Sequence, residues 1–225
     1  MDFVFMLTRD DATVANALEI VEAVRPLALK HIGFKDIGAA PETLARLAGA
    51  IRAAGASVWM EIVSTSPADE LRSIALGRDL GVDFLMGGVG AAEGIRLLEG
   101  GPTRYLPFAG RPVGHPTRLG GGADEVEAHC RAFAALGCAG ADILAYRATE
   151  ADPLDLVAAC RRGFGAQGLV VAAGSIDCAA RIAAVRAAGA DAFTIGTAAI
   201  DLAYAPGAGP LEAQLKAVLA DCGAD

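Results

Sequence analysis

With 225 residues, 54% of them hydrophobic, the chain is long enough to bury most of its apolar surface around one core. A formal charge of −8 argues against polyanion partners, because the molecule as a whole repels nucleic acid and anionic membranes. The five cysteines (Cys130, Cys138, Cys160, Cys178 and Cys222) are odd in number and lack CxxC spacing, so they read as isolated thiols in a reducing compartment, with no zinc site or redox pair.

Short β-rich runs alternate with Ala/Leu-rich segments of helical spacing, the pattern of repeated βα units around a parallel sheet. In chain order the strands are expected at Phe3–Leu7, His31–Lys35, Ser57–Val63, Asp83–Gly87, Thr103–Phe108, Asp142–Tyr146, Leu169–Ala173 and Ala192–Ile195. Between them lie helical stretches such as PETLARLAGAIRAAG, PADELRSIALGRDLG and IDCAARIAAVRAAG, several opened by Asp, Ser or Pro and closed by Gly. The fold class is therefore α/β, a compact (β/α)8 barrel forming one domain over residues 1–225. The opening MDFVFMLTRDD has no basic segment or long apolar run, and no apolar stretch approaches bilayer length, so a soluble cytoplasmic protein is expected.

In such barrels the ligand lies at the C-terminal ends of the strands. After the first strand come Arg9, Asp10 and Asp11: Arg9 is a rim candidate, and the aspartates are expected to cap the first helix. In HIGFKDIG (31–38), Ile32 and Phe34 share one parity and suit the helix-packed face, which points Lys35 into the barrel. The same alternation in the third strand turns Glu61 inward beside it. A desolvated Lys beside a Glu suits acid–base work, and the carboxylate favours the charged amine over a nucleophile. Asp36 is expected at the rim, orienting Lys35 or holding a loop.

The segment 100–122 is rich in Gly and Pro, carries Arg104, Arg111, His115 and Arg118, and has no acidic residue. This basic island is expected to form the loop after the fifth strand, facing the site, with Arg111 and His115 as candidates. Tyr146 and Arg147 are expected to end the sixth strand, where Arg147 can clamp a carboxylate or phosphate. The turns AAGSI (172–176) and TIGTAAI (194–200) present bare backbone amides and hydroxyls where barrels bind phosphate after strands seven and eight. Residues 63–91 also align without gaps on 171–199, pairing Asp69 with Asp177, Arg78 with Arg186 and Gly88 with Gly196. That half-barrel repeat makes MGGVG (86–90), at its Gly87–Gly90 turn, a candidate second anion site, although Val89 stands where a hydroxyl is needed.

Over 168–200 the chain resembles the ribulose-phosphate-binding barrel superfamily, which includes histidine- and tryptophan-biosynthesis enzymes, phosphosugar epimerases and aldolases. The resemblance implies Gly174, Ser175, Gly196 and Thr197 as phosphate-binding positions. IGFKD is similar to the epimerases' IGIIKRD, and ADILAYRAT to their ADIIALDAT. The chain departs from the superfamily elsewhere: FVFML and YLPFAG lack the histidine-pathway aspartates, and Gly33 replaces the first Asp of the decarboxylases' D-x-K-x-x-D.

These features point to an enzyme acting on a phosphorylated sugar or small carbonyl metabolite by lyase or isomerase chemistry, with Lys35 and Glu61 as the catalytic pair. No metal or organic cofactor is expected, a homodimer is compatible with the Ala-rich helices, and a non-catalytic phosphometabolite-binding or protein-interaction barrel is the alternative.

Overall fold

The computed structural model describes residues 1–64 and 66–223. Eight parallel strands form its sheet: β1 (Asp2–Met6), β2 (His31–Lys35), β3 (Ser57–Ile62), β4 (Phe84–Gly87), β5 (Arg104–Leu106), β6 (Gly140–Ile143), β7 (Leu169–Ala172) and β8 (Ala192–Ile195). They lie in the order β6-β7-β8-β1-β2-β3-β4-β5, as sequential right-handed βα crossovers require. The ring closes between β5 and β6, where the Asp142 amide donates to the Pro107 carbonyl at 3.0 Å and the Ala109 amide to the Asp142 carbonyl at 3.0 Å. Pro107 has no amide proton to give to a ladder, which is why β5 stops at Leu106 rather than running to Phe108.

Helices α1 (Ala17–Val24), α2 (Pro41–Ala53), α3 (Pro67–Leu80), α4 (Ala91–Leu98), α5 (Ala123–Leu136), α6 (Pro153–Phe164), α7 (Ala179–Ala187), α8 (Thr197–Ile200) and α9 (Leu211–Gly223) surround the sheet. Starts follow local chemistry: Pro41, Pro67 and Pro153 occupy first turns, and the side chains of Ser66 and Asp152 accept amide protons there. None of the described helices is long and apolar enough to cross a membrane.

Strand parity divides the core as read from the sequence. Ile32, Phe34, Val58, Met60 and Ile62 pack outward against helices. Inside the barrel a separate cluster of Val4, Met6, Trp59, Met86, Leu106, Val171 and Ala192 fills the axis. That apolar plug separates the N-terminal end of the barrel from the C-terminal rim, where Lys35 and Glu61 end their strands.

Two local expectations are corrected and one is refined. The sixth strand is Gly140–Ile143 rather than Asp142–Tyr146, because Asp142 is the inward residue opposite Val171, while Ala145–Arg147 form a 3-10 turn beyond the strand. The basic segment lies in the connection after β5, as expected, but folds there as an antiparallel hairpin, Arg111–Val113 against Arg118–Gly120. The first helix begins only at Ala17, since residues 8–13 form a hairpin.

Candidate functional site

The first hairpin pairs Thr8 with Thr13 and Arg9 with Ala12, leaving Asp10 and Asp11 as its two-residue loop. Both have positive φ (50° and 58°), the conformation a primed two-residue turn needs and one that Asp tolerates. The aspartates therefore do not cap α1. The turn instead lowers Asp11 into the barrel mouth, where it is buried.

Lys35 ends β2 with its side chain inward and buried. Its Nζ donates to Asp11 Oδ1 at 2.9 Å and lies 3.1 Å from Glu61 Oε1 on β3. Thr13 fixes the backbone beneath it, accepting the Lys35 amide at 2.9 Å and donating to the Lys35 carbonyl at 2.8 Å. Burial alone would lower the lysine's pKa, but Glu61 and then Asp11 outweigh it and the pKa is raised, so the amine is an ammonium at neutral pH. Asp11 is the hub of the cluster: Arg147 Nη1 reaches both its oxygens at 2.8 Å, and the Thr117 amide donates at 2.6 Å. Burial pushes its pKa up, yet Lys35 and Arg147 prevail and hold it well below the usual range.

A third carboxylate, Asp142 on β6, points inward with no hydrogen-bond partner for either oxygen among the described residues. An unpaired buried anion is costly. Burial, reinforced by Glu61, pushes its pKa well above the ordinary value, which favours the neutral acid in the fold. The two cations, Lys35 and Arg147, then balance Asp11 and Glu61.

Across the mouth, Gly174 and Ser175 make a left-handed turn after β7, with φ of 75° and 57°. A Cβ on Gly174 would lie 2.6 Å from Arg147 Nε, so glycine is what lets the guanidinium rest against this turn. After β8, Gly196 precedes α8, whose first amides, Thr197 and Ala198, have no acceptor within the helix. Arg181 from α7 completes this wall: its Nη1 donates to the Ser175 carbonyl at 2.6 Å and to Asp177 at 3.0 Å, and its guanidinium stacks 4.6 Å over the Tyr146 ring.

One cavity of about 640 Å³ joins these features, lined by Asp11, Lys35 and Glu61 on one side and by Gly174, Ser175, Gly196 and Thr197 on the other. Arg147 and Arg181 also line it.

Other sequence candidates lie elsewhere. Arg9 pairs with Asp201 on the surface. Asp36 is a scaffold residue, accepting from the Val63 amide at 3.0 Å, from Ser73 Oγ at 2.7 Å and from Ser64 Oγ. Arg111 points away to Glu125 and Glu150. His115 is exposed, and its hairpin reaches the cavity through Pro116. Among the described residues no group of three His, Cys, Asp or Glu side chains is arranged to hold a metal ion.

Sequence reasoning missed Asp11, Asp142 and Arg181. The first had a signal, two turn-tolerant aspartates between β-branched flanks in TRDDAT. An Asp inside the apolar run GADILA was a signal for the second. Arg181 had none, because an Arg early in an Ala-rich helix reads as solvated surface.

The fold and its cavity together define a (β/α)8 barrel with a charged cluster opposite open glycine turns. No protein-family model matches the chain, and no curated protein does. Among solved structures it is similar to orotidine 5'-phosphate decarboxylase from Pyrococcus horikoshii, at 14% identity over 99% of this chain and 100% of that one, with a TM-score of 0.66. It is also similar to a cube-shaped designed protein cage, at 13% identity over 98% of this chain and 73% of that one, TM-score 0.68. FabK from Thermotoga maritima aligns at 19% identity over 88% of this chain and 58% of its own length, TM-score 0.59. At these identities the likeness is one of fold, and the fold is the barrel that the βα alternation and the superfamily resemblance both implied.

Proposed function

We propose that this chain is an enzyme acting on a phosphorylated sugar or small carbonyl metabolite by lyase or isomerase chemistry. The observation that carries the reading is the single cavity shared by the Lys35 cluster and the Gly174–Ser175 and Gly196–Thr197 turns. A phosphate seated on the turns accepts from backbone amides and faces Arg147 and Arg181, so remote binding energy positions the reacting carbon near Lys35. As an ammonium, Lys35 stabilises developing enolate or carbanion charge or delivers a proton, and Glu61 serves as base or holds the amine in place. A Schiff base is disfavoured, because it needs a neutral amine between two carboxylates. A decarboxylase among the similar folds is compatible with lyase chemistry. A cytoplasmic setting and a phosphorylated small molecule as the only partner class belong to the same reading.

A second reading, a non-catalytic phosphometabolite-binding barrel, draws on the saturation of Lys35 by two carboxylates, as in a structural ion cluster. The double variant Lys35→Met/Glu61→Gln separates the two, since it removes the amine together with the charge that would be stranded. Assayed on a panel of sugar phosphates and keto-acid phosphates, it is expected to keep binding within a few fold and lose turnover. Turnover surviving in the variant sinks the catalytic assignment. Wild-type protein that binds the panel and turns none of it over supports the binding barrel.

A further inference from the structure

The half-barrel repeat sets MGGVG (86–90), after β4, against TIGTA (194–198), after β8, with Val89 on Thr197 and Gly90 on Ala198. After β8 the residues at these positions, Thr197 and Ala198, line the large cavity. After β4 the amides are taken: those of Val89 and Gly90 donate to Glu70 Oε1 at 2.8 and 2.6 Å. Glu70 comes from the first turn of α3 and is buried. Its counterpart in the repeat is Cys178, at the N-cap of α7, which brings no carboxylate to the other turn. The β4 turn is shaped around the carboxylate, since Gly88 has φ of 72° and a Cβ there would stand 2.6 Å from Glu70 Oε1. No ion pair joins Glu70 to a lysine or arginine among the described residues; its polar neighbours are the two backbone amides and the buried Tyr105 hydroxyl. The adjoining cavity of about 370 Å³ is lined by Val63, Phe108 and Val113 together with Ser64, Ser66 and Thr117, without a basic side chain among the described residues.

We infer that Glu70 is a built-in anion that fills the second of two equivalent amide nests, and that it restricts this barrel to ligands carrying a single phosphate. A bisphosphate would bring its second phosphate to a buried carboxylate with no cation nearby, where repulsion and desolvation oppose it. A ligand with one phosphate and an uncharged far end meets no such barrier. This specificity assignment rests on the phosphate reading above.

The test is the stoichiometry of inorganic phosphate, followed by 31P NMR and calorimetry in the wild-type chain and in Glu70→Ala. The expected result is one phosphate per wild-type chain and two per variant chain. Glu70→Gln keeps an acceptor oxygen for both amides and is expected to stay at one. Two phosphates on the wild type, or no gain in Glu70→Ala, overturns the proposal. No phosphate on the wild type with one on Glu70→Ala overturns the β7–β8 phosphate site while upholding Glu70 as the occupant of its nest. If Glu70→Ala unfolds in phosphate-free buffer, its melting temperature is expected to rise with added phosphate far more than that of the wild type. A variant melting curve indifferent to phosphate overturns the proposal by that route.

Discussion

The two sides of the barrel mouth use the same backbone device to opposite ends. On the β7–β8 side, glycine turns border a cavity, and Arg147 and Arg181 stand beside them, paired with Asp11 and Asp177. On the β3–β4 side, an aligned glycine turn closes on Glu70, and Asp36 is consumed by Ser64, Ser73 and the Val63 amide. An amide nest is thus a site for a foreign anion only where the chain withholds its own carboxylate. Backbone geometry proposes the site, and side-chain charge one helix turn away decides its use.

The largest effect that would sharpen this contrast belongs to Lys35, which stands on the open side. Lys35→Met strands Glu61 as a buried carboxylate, while Asp11 keeps Arg147, so the fold is expected to lose about 3 kcal/mol in denaturant unfolding. Turnover on a phosphorylated substrate should fall about a thousandfold if Lys35 stabilises charge in the transition state. A variant as stable as the wild type would show that the cluster is not a balanced ion network. Next in size, Arg181→Ala removes one of two guanidinium groups beside the β7–β8 turns, and phosphate-ester affinity should weaken about tenfold by titration calorimetry. Because Arg181 is part of the open wall only, anion uptake opened by Glu70→Ala on the other side should be unchanged by it. Equal loss at both sides would erase the contrast.

How much of this was legible in the sequence differs with the physical origin of each feature. Strand parity placed Lys35 and Glu61 together because alternation in a buried parallel sheet is local and exact in period. The glycine turns were legible because positive φ and bare amides are written in residue type. Neither the Asp11–Arg147 contact nor the Glu70 plug could be read that way, since each joins segments far apart in the chain. Asp142 was displaced by a strand assigned two residues late: Leu144–Tyr146 continue the apolar run, but closure of the ring on Pro107 fixes the register at Asp142. The basic island was legible as composition but its pairing was not, because acidic partners for Arg111 come from α5 and from residue 150.

Asp142 gives a smaller effect that is resolved by pH. Its pKa is raised in the fold, so above the ordinary carboxylate range the unfolded chain has released a proton that the native chain retains. Stability contributed by this group therefore falls as pH rises from about 4 toward the folded pKa. Asp142→Asn removes the titration and keeps the shape, so its stability relative to wild type should grow between pH 5 and pH 8 in urea unfolding. Parallel pH profiles for the two proteins would mean that Asp142 is ionised in the fold and that a donor reaches it.

The smallest effect is expected at Arg111. Its guanidinium is exposed and held by Glu125 and Glu150, so the three charges leave no positive field for a ligand in the cavity. Arg111→Ala should leave the melting temperature unmoved and phosphate-ester affinity within a factor of about two, as for exposed ion pairs generally. A tenfold loss of affinity would mean that the hairpin closes over bound ligand and delivers Arg111 to the phosphate. The closed side would then take part in binding after all, and the division of the mouth into an open half and a self-occupied half would hold only for the empty barrel.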